Sequence, residues 1–304
     1  MTLSMKKVLY LGFRSIFKNA KLIALFWGTN AVAAFLLSLP LFYLLVDNLN
    51  HSLMSDKLAA SFDFIWYLQF MNIYKSSIGE IPYLFFGTVG VYVLIRSFYM
   101  GGLISVFNLP DKNHIVDFFY GGVKYWFRFM KIVLISLIFF GIAFLVNNYL
   151  GVFIEWAFSS TENQLAEFII RLLRYILLVF FIGLVTMISD YAKVSMAVDE
   201  TKKSFDAIYK SIIFIKHNFS KVFLIFLTIA CIGASGAVLY NVVERFIPRT
   251  PFYFLFLAFL VQQMLIIFRL FIRMYFTATE VNLYKDLSAE VIELRVKEEN
   301  MGVV

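Results

Sequence analysis

Hydrophobic residues occur in six long runs, which alternate with shorter polar connectors along the chain. Each run is mostly apolar over about 20 residues, the length that a helix needs to cross the hydrocarbon core of a bilayer. The runs extend over Leu22–Val46, Ile81–Phe107, Ile132–Ile154, Phe168–Ser189, Val222–Val243 and Phe252–Thr277. The pattern predicts an all-α polytopic membrane protein with six transmembrane helices.

Lysine and arginine are unevenly divided between the two sides that six crossings define. With the N-terminus inside, 20 of them lie in the terminal segments and in the second and fourth connectors, and six lie on the opposite side. Because basic residues are retained on the cytoplasmic side, both termini are predicted to be cytoplasmic. The first run is too long for a cleaved signal peptide and is expected to remain as a transmembrane helix.

Short basic and aromatic segments precede three of the six runs. In Gly12–Lys21 and in Gly122–Lys131 the basic residues stand at the same three offsets from the glycine, and Ile215–Lys221 matches after a one-residue shift. This similarity predicts three repeats, each an amphipathic in-plane helix followed by two crossings. The alternative is convergence, because a helix that enters the membrane from the cytoplasm favours basic and aromatic residues.

The first outer connector, Asp47–Glu80, is the longest of the connectors. Apolar residues recur at helical spacing from Leu53 to Ile73, which predicts a helix that lies at the outer membrane interface. A lid that grips a ligand is the alternative.

The composition excludes a soluble domain, because 61% of the 304 residues are hydrophobic and only 15% are charged. The formal charge of +7 comes from basic residues at the ends of the apolar runs rather than from a single patch. This placement predicts contact with membrane lipid, above all with anionic lipid, and no nucleic-acid partner.

Charged residues at membrane depth are the candidate binding residues, because their exposure to lipid is costly. They are Arg96, Asp190, Arg269 and Arg273. In one arrangement, Arg96 and Arg269 share Asp190 as a counter-ion and form a cationic pocket for a phospholipid headgroup or an anionic solute. In the other, the arginines extend to lipid phosphates, and Asp190 pairs with Lys193 one turn away.

Other polar and small residues within the runs are expected to have structural roles. Arg171 and Arg174 are predicted to pair with Glu167, and contact with outer headgroups is the alternative. Bridges between helices are predicted for Asn30, Asn147, Asn148 and Ser189. The small residues from Ala230 to Ala237 predict a close packing face on the fifth crossing.

The chain shows no pattern that is typical of an enzyme. It has one cysteine, Cys231, and three histidines in separate connectors without metal-ligand spacing. A phosphate-binding glycine loop is absent from the sequence, and none of the histidines lies within an apolar run. We therefore expect no catalytic residues, no cofactor and no metal.

Residues around the fourth connector resemble a known group of membrane proteins. The motifs are Asp190-Tyr191-Ala192-Lys193-Val194, Val198-Asp199-Glu200 with Ser204 and Ala207, and Glu280-Val281-Asn282-Leu283-Tyr284. They resemble bacterial six-helix membrane proteins of unknown function, a group that includes the membrane domain attached to some glycerophosphodiester phosphodiesterases. Lys193 stands where arginine is more usual. The resemblance implies a bacterial inner-membrane location, and it implies no catalytic activity because no phosphodiesterase domain is apparent.

Together these observations predict a six-helix domain over residues 1–284 and a charged cytoplasmic tail over 285–304. The expected function is that of a non-enzymatic scaffold or accessory subunit, which organises lipid or a partner protein at the cytoplasmic face. The charge spacing of the tail fits either docking of a partner or a solvated helix. The competing function is a transporter or lipid translocator with a cationic site around Arg96 and Arg269. A second crossing broken near Gly87, Gly90, Gly101 and Gly102 would be supporting evidence.

Overall fold

The computed structural model describes residues 4–50, 52, 54–60, 63–109, 114–159, 164–248, 251 and 253–301. Over these residues the chain forms ten α-helices and no strand, which confirms the predicted all-α fold. The helices are α1 (Met5–Lys18), α2 (Lys21–Leu49), α3 (Met54–Ala60), α4 (Phe64–Ile73), α5 (Lys75–Asn108), α6 (His114–Phe158), α7 (Gln164–Val198), α8 (Ser204–His217), α9 (Phe219–Phe246) and α10 (Tyr253–Met301).

Six of these helices are long and apolar enough to cross a membrane. The apolar spans are Lys21–Asp47, Phe85–Asn108, Ile115–Phe158, Gln164–Val198, Phe219–Phe246 and Tyr253–Ala289. Each span corresponds to one predicted crossing, so the predicted number of crossings is confirmed for the described residues. The chain is therefore a multi-pass integral membrane protein.

The contacts between residues divide the chain into two compact units. The first unit comprises Ser97–Leu227 together with the two ends of the chain, up to Ser15 and from Phe276. The second comprises Ile16–Arg96 and Thr228–Tyr275. Helix α10 continues without a break through residue 284 to Met301, so the boundary predicted there, between the membrane domain and the tail, remains a prediction.

In the first unit, α6, α7 and α8 pack against one another. The largest side chains that are fully buried there include Phe118 and Phe129 of α6 and Met187 and Met196 of α7. Burial of each such side chain contributes about 1.5–3 kcal/mol if the reference state is exposed to water.

Glycines permit a close crossing of α5 and α6 in the first unit. A Cβ added at Gly101 would lie 2.8 Å from the Gly121 carbonyl oxygen, and one added at Gly121 would collide with the Ser105 side chain. Helix backbones approach this closely in membrane proteins only where small residues face each other. Because α5 is helical throughout Lys75–Asn108, a range that includes all four glycines at which a break was considered, the break that would have supported transport does not occur.

In the second unit, polar side chains connect the apolar helices. The Tyr92 hydroxyl of α5 donates a hydrogen bond to Asn30 Oδ1 of α2 at 2.8 Å, so Asn30 bridges two helices as predicted. The Trp27 Nε1 of α2 donates to Gln263 Oε1 of α10 at 2.9 Å.

The small residues of α9 form the packing face that the sequence predicts. A Cβ added at Gly236 would collide with the ring of Phe268, and one added at Gly233 would lie 3.3 Å from Ile272. Both of these neighbours belong to α10, so the narrow face of α9 lies against α10 within the second unit.

The predicted in-plane helices are separate helices at two of the three positions. Two residues separate α1 from the crossing α2, and one residue separates α8 from the crossing α9. The segment that ends at Lys131, in contrast, continues into its crossing as part of α6. An asparagine stands at both breaks, Asn19 and Asn218, and Asn218 Nδ2 donates to the Phe214 carbonyl at 3.2 Å. Asparagine competes for helix backbone hydrogen bonds. The position that aligns with Asn19 is the buried Phe129. The threefold repeat remains a prediction.

The first outer connector contains two helices where one was predicted. The break lies before α4, at Asp63, whose carboxylate accepts hydrogen bonds from the backbone N–H groups of Ile65 at 3.0 Å and Trp66 at 3.1 Å. The backbone N–H of Trp66 lowers the pKa of the Asp63 carboxyl. Aspartate is a favoured residue at this position because it satisfies N–H groups that have no partner within the helix. Leu53 and Phe62, which contributed to the prediction, lie outside the described residues.

Candidate functional site

The end of α7 is buried although its sequence is partly polar. Helix α7 ends at Val198, well beyond the predicted end of the crossing at Ser189, and Tyr191, Lys193 and Ser195 in this extension are buried. Contacts with other parts of the first unit cover these residues. This segment is the candidate site because it brings ionisable side chains into the interior of the protein.

Asp190 and Lys193 form an ion pair within α7. The Lys193 Nζ lies 2.8 Å from Asp190 Oδ1, and the lysine side chain is 8% exposed. The buried carboxylate of Glu280, on α10, and that of Asp190 both interact electrostatically with the Tyr191 phenol. The pairing of Asp190 with Lys193 was one of the two arrangements that the sequence predicted.

The arginines of the predicted site lie elsewhere in the chain. Arg96 and Arg269 belong to the second unit, and both side chains are exposed, whereas Arg273 is partly exposed. Asp190 belongs to the first unit. The shared counter-ion arrangement of Arg96, Asp190 and Arg269 therefore remains a prediction.

Asp199, immediately after α7, contacts side chains of α7, α8 and α10. Its Oδ2 accepts a hydrogen bond from the Tyr284 hydroxyl of α10 at 2.8 Å and one from the Ser195 hydroxyl of α7 at 3.4 Å. The Lys210 Nζ of α8 lies 3.6 Å from the same oxygen. We call Ser195, Asp199, Lys210 and Tyr284 the polar junction. Charge-assisted hydrogen bonds, which are stronger than neutral ones, join α10 to the end of α7. The ion pair with Lys210 adds α8.

Aromatic rings extend the polar junction. The Phe214 ring of α8 lies between those of Tyr191 and Tyr284, with centroid distances of 5.2 Å and 4.8 Å. The Phe214 side chain therefore supports Tyr284 in the position from which it donates to Asp199.

Two contacts connect α6 to the last turn of α7 and to the residues that follow it. The Tyr125 hydroxyl donates to the Ala197 carbonyl at 3.3 Å, and Lys124 Nζ lies 2.7 Å from Glu200 Oε1. The hydrogen bond from Lys124 lowers the pKa of the Glu200 carboxyl. Glu200 has a φ of 52°, a left-handed conformation that is uncommon for a residue with a side chain. This conformation ends α7 and directs the chain into α8.

Helix α10 is also connected to α5 in the first unit. The Lys285 Nζ donates to the Asn108 carbonyl at 2.5 Å, and the Thr277 hydroxyl lies 3.9 Å from the Met100 sulfur. Lys285 satisfies a carbonyl at the C-terminal end of α5, where carbonyl groups have no partner within the helix.

Helix α8 is buried on one side and exposes large apolar side chains and lysines on the other. Ala207, Ile208, Ser211 and Ile215 are buried within the first unit. Four large apolar side chains on the helix are exposed, namely Phe205, Tyr209, Ile212 and Ile213. The lysines in and just before α8 are exposed as well, namely Lys202, Lys203, Lys210 and Lys216.

On the opposite end of α7, Arg171 forms the predicted ion pair. Its guanidinium lies 2.6 Å from Glu167 and 3.7 Å from Glu155 of α6. Arg174, one turn further along α7, contacts Gly151 of α6. These contacts assign Arg171 and Arg174 to packing between the two helices.

The sequence contained the residues of the polar junction without indicating their connection. Ser195 was not singled out, and Asp199 and Tyr284 were noted only as parts of motifs that resemble other membrane proteins. Asp199 and Tyr284 are far apart in the chain and meet only in the folded protein. The signal that could have found them is the presence of polar residues just beyond two apolar runs that end on the same side.

Comparisons with protein-family models, with curated proteins and with solved structures gave no match for this chain. The fold and the site therefore define the class of protein, which is a multi-pass helical membrane protein with a polar junction at the end of α7. Among the described residues, no group of three histidine, cysteine, aspartate or glutamate side chains could hold a metal ion.

Proposed function

We propose that the protein is a non-enzymatic membrane scaffold that organises anionic lipid at its cytoplasmic face. The observation that carries the proposal is the two-sided character of α8, whose buried side belongs to the first unit and whose other side exposes large apolar residues and lysines. A helix of this kind lies in the membrane interface, with apolar side chains among the acyl chains and lysines at the phosphates. Because lysines are enriched on the side predicted to be cytoplasmic, the inner leaflet is the favoured surface.

The polar junction supports a scaffold rather than a protein that changes conformation. Its hydrogen bonds join α10 to the end of α7, and its ion pair adds Lys210 of α8. The Asp190–Lys193 pair satisfies both charges within α7. A partner protein at the same face is the other occupant that the sequence allows. We favour lipid because the exposed side of α8 combines scattered lysines with apolar side chains, a combination that suits a bilayer interface.

The transporter or lipid translocator with a cationic site around Arg96 and Arg269 is the competing proposal. It requires Asp190 to leave Lys193 and to face these arginines. It also predicts movement of a lipid or solute across the bilayer, which a scaffold does not produce. The two proposals can therefore be separated by measuring lipid retention and lipid movement on the same protein.

The test uses the full chain in nanodiscs with equal amounts of phosphatidylglycerol and phosphatidylcholine. The wild type is expected to retain phosphatidylglycerol preferentially in native mass spectrometry. A variant with Lys202, Lys203 and Lys216 changed to glutamine should lose the preference at least about fivefold, since each lysine near the surface contributes about 1 kcal/mol. The matched control changes Lys75 and Arg245 to glutamine. Both residues lie on the side predicted to be external, so this variant should retain the preference for phosphatidylglycerol.

Equal retention of both lipids by the wild type would contradict the scaffold proposal. Lipid movement is followed with a labelled lipid in proteoliposomes, where the scaffold should give no more exchange between leaflets than empty vesicles do. Rapid exchange that is lost in Arg96→Met would favour the transporter instead.

A further inference from the structure

An apolar groove lies between α6, α7 and α8 in the first unit. Its volume is about 310 Å³, at the lower end of the range for ligand pockets. Helix α6 contributes the wall from Ile135 to Val146, α7 the wall from Phe181 to Ser189, and α8 contributes Ile208 and Ile212. Ser136 and Ser189 are the two polar residues among those that line it.

Backbone carbonyls accept hydrogen bonds from Ser136 in the groove and from Ser211 beside it. The Ser136 hydroxyl donates to the Ile132 carbonyl at 2.8 Å within α6. Next to the groove, the Ser211 hydroxyl of α8 lies 2.7 Å from the Ile208 carbonyl and 3.1 Å from the Ile188 carbonyl of α7. The walls are therefore apolar in character, and a cavity of this kind excludes water and accepts apolar ligands.

The groove matches one leaflet in length. The wall that α6 provides, from Ile135 to Val146, is about 16 Å long at about 1.5 Å per residue. One leaflet contributes about 15 Å, which is half of the hydrocarbon core. A helix from another protein has a diameter of about 10 Å, and over this length it would need several times the volume of the groove.

Two exposed lysines stand near the end of the groove that α8 closes. Lys131 precedes Ile135 by about one turn of α6, and Lys216 follows Ile212 by about one turn of α8. Their flexible side chains can follow an apolar surface and place the ammonium group at a phosphate.

We propose that this groove binds one acyl chain of an anionic phospholipid from the cytoplasmic leaflet, with the headgroup phosphate held by Lys131 and Lys216. The inference rests on the proposed function and deepens it, because it replaces a general lipid surface with a single site. The apolar lining, the length of one leaflet and the two lysines near its end together specify a phospholipid rather than a water-soluble ligand.

The test uses the full chain in vesicles of phosphatidylcholine that contain phosphatidylglycerol with a photoactivatable diazirine in one acyl chain. After illumination, mass spectrometry should map the label to peptides that contain residues 135–146 and 181–189. Ala143→Phe and Val185→Phe fill the groove from two different helices, and each should reduce this labelling at least fivefold. Leu137→Phe is the matched control, because Leu137 is an exposed α6 residue outside the lining, and it should leave the labelling unchanged.

Label spread evenly over the lipid-facing helices, with no decrease in either filled variant, would overturn the inference. If that result accompanied a retained preference for phosphatidylglycerol in nanodiscs, the groove would be rejected and the scaffold proposal would stand. If diazirine on phosphatidylcholine labelled the groove as strongly as diazirine on phosphatidylglycerol, the acyl site would stand without its anionic selectivity, and the roles of Lys131 and Lys216 would be rejected. Thermal unfolding of both filled variants shows whether they retain the fold, and the two substitutions on separate helices provide independent tests.

Discussion

Asp199 is the residue on which the connections at the end of α7 converge. It accepts hydrogen bonds from Tyr284 and Ser195 and lies near Lys210, so a single carboxylate joins three helices. The neighbouring Asp190 behaves differently, because its partner Lys193 lies on the same helix. Asp190 contributes to the local charge balance, whereas Asp199 contributes to the tertiary structure.

Tyr284→Phe tests the importance of the polar junction. The substitution removes the hydroxyl that donates to Asp199 but keeps the ring that packs on Phe214. Because the acceptor is charged, the free energy of unfolding should fall by about 1.5–3 kcal/mol. The measurement is reversible unfolding of the purified protein by a denaturing detergent. Tyr209→Phe is the matched control at an exposed position of α8 and should change the free energy by less than about 0.5 kcal/mol. Equal effects of the two substitutions would contradict the structural role of the junction.

Ion pairs could be predicted from the sequence where the two residues are close along the chain. The Asp190–Lys193 and Glu167–Arg171 pairs have helical spacing, so each could be inferred without the fold. The contact between Asp199 and Tyr284 could not, because it depends on how α7 and α10 pack. The contacts of Ser195 and Lys210 with Asp199 also depend on the fold, so no role could be inferred for these two residues from the sequence.

At the scale of elements, the crossing of α5 and α6 depends on the absence of side chains. Gly101 and Gly121 bring the two backbones so close that a methyl group at residue 121 has no room beside Ser105. A glycine elsewhere in α6, Gly141, has no atom within 4 Å of the position that its Cβ would occupy. The packing of α6 therefore requires a glycine at residue 121 but not at residue 141.

Gly121→Ala should destabilise the protein by about 1–3 kcal/mol, the usual cost of inserting a group into a packed interior. Gly141→Ala is the matched control and should leave stability unchanged or raise it by up to about 1 kcal/mol, since alanine favours the helix. Thermal unfolding in nanodiscs provides the comparison. Adding Ser105→Gly to Gly121→Ala should restore part of the loss. No difference between the two single substitutions would show that the helices do not cross closely at residue 121.

The ends of the elements were harder to predict than their existence. Hydropathy located the six crossings because transmembrane length is a local property of the chain. It placed the end of the fourth crossing at Ser189, because the following residues include aspartate, tyrosine and lysine, yet α7 continues to Val198 through buried surroundings. The third basic and aromatic segment, Ile215–Lys221, spans the end of α8 and the start of α9, whereas the middle one, Gly122–Lys131, lies within α6.

At the scale of the whole molecule, the distribution of basic residues predicts the orientation. The connector between α6 and α7 is expected outside, whereas the N-terminus and the connector between α7 and α8 are expected in the cytoplasm. Because the lysine and arginine bias sets one orientation for the chain, each connector should be accessible from one side only to reagents that cannot cross the membrane.

Single-cysteine variants check this orientation in intact cells. With Cys231→Ser as the background, Ser159→Cys should react with a membrane-impermeant maleimide. Ser4→Cys and Lys203→Cys should react only after the membrane has been opened. All three positions are exposed in the structure, so failure to react reports on the side of the membrane rather than on burial. The reverse labelling pattern would show that the chain is inserted with its termini outside.

Helix α6 has a mechanical consequence that follows from its continuity. It runs without a break from His114 to Phe158, about 67 Å at about 1.5 Å per residue, whereas the hydrocarbon core is about 30 Å thick. Lys124 and Tyr125, near one end of α6, contact Glu200 and Ala197 at the end of α7. Because a change in bilayer thickness alters helix tilt, we expect such a change to shift the point where α7 ends.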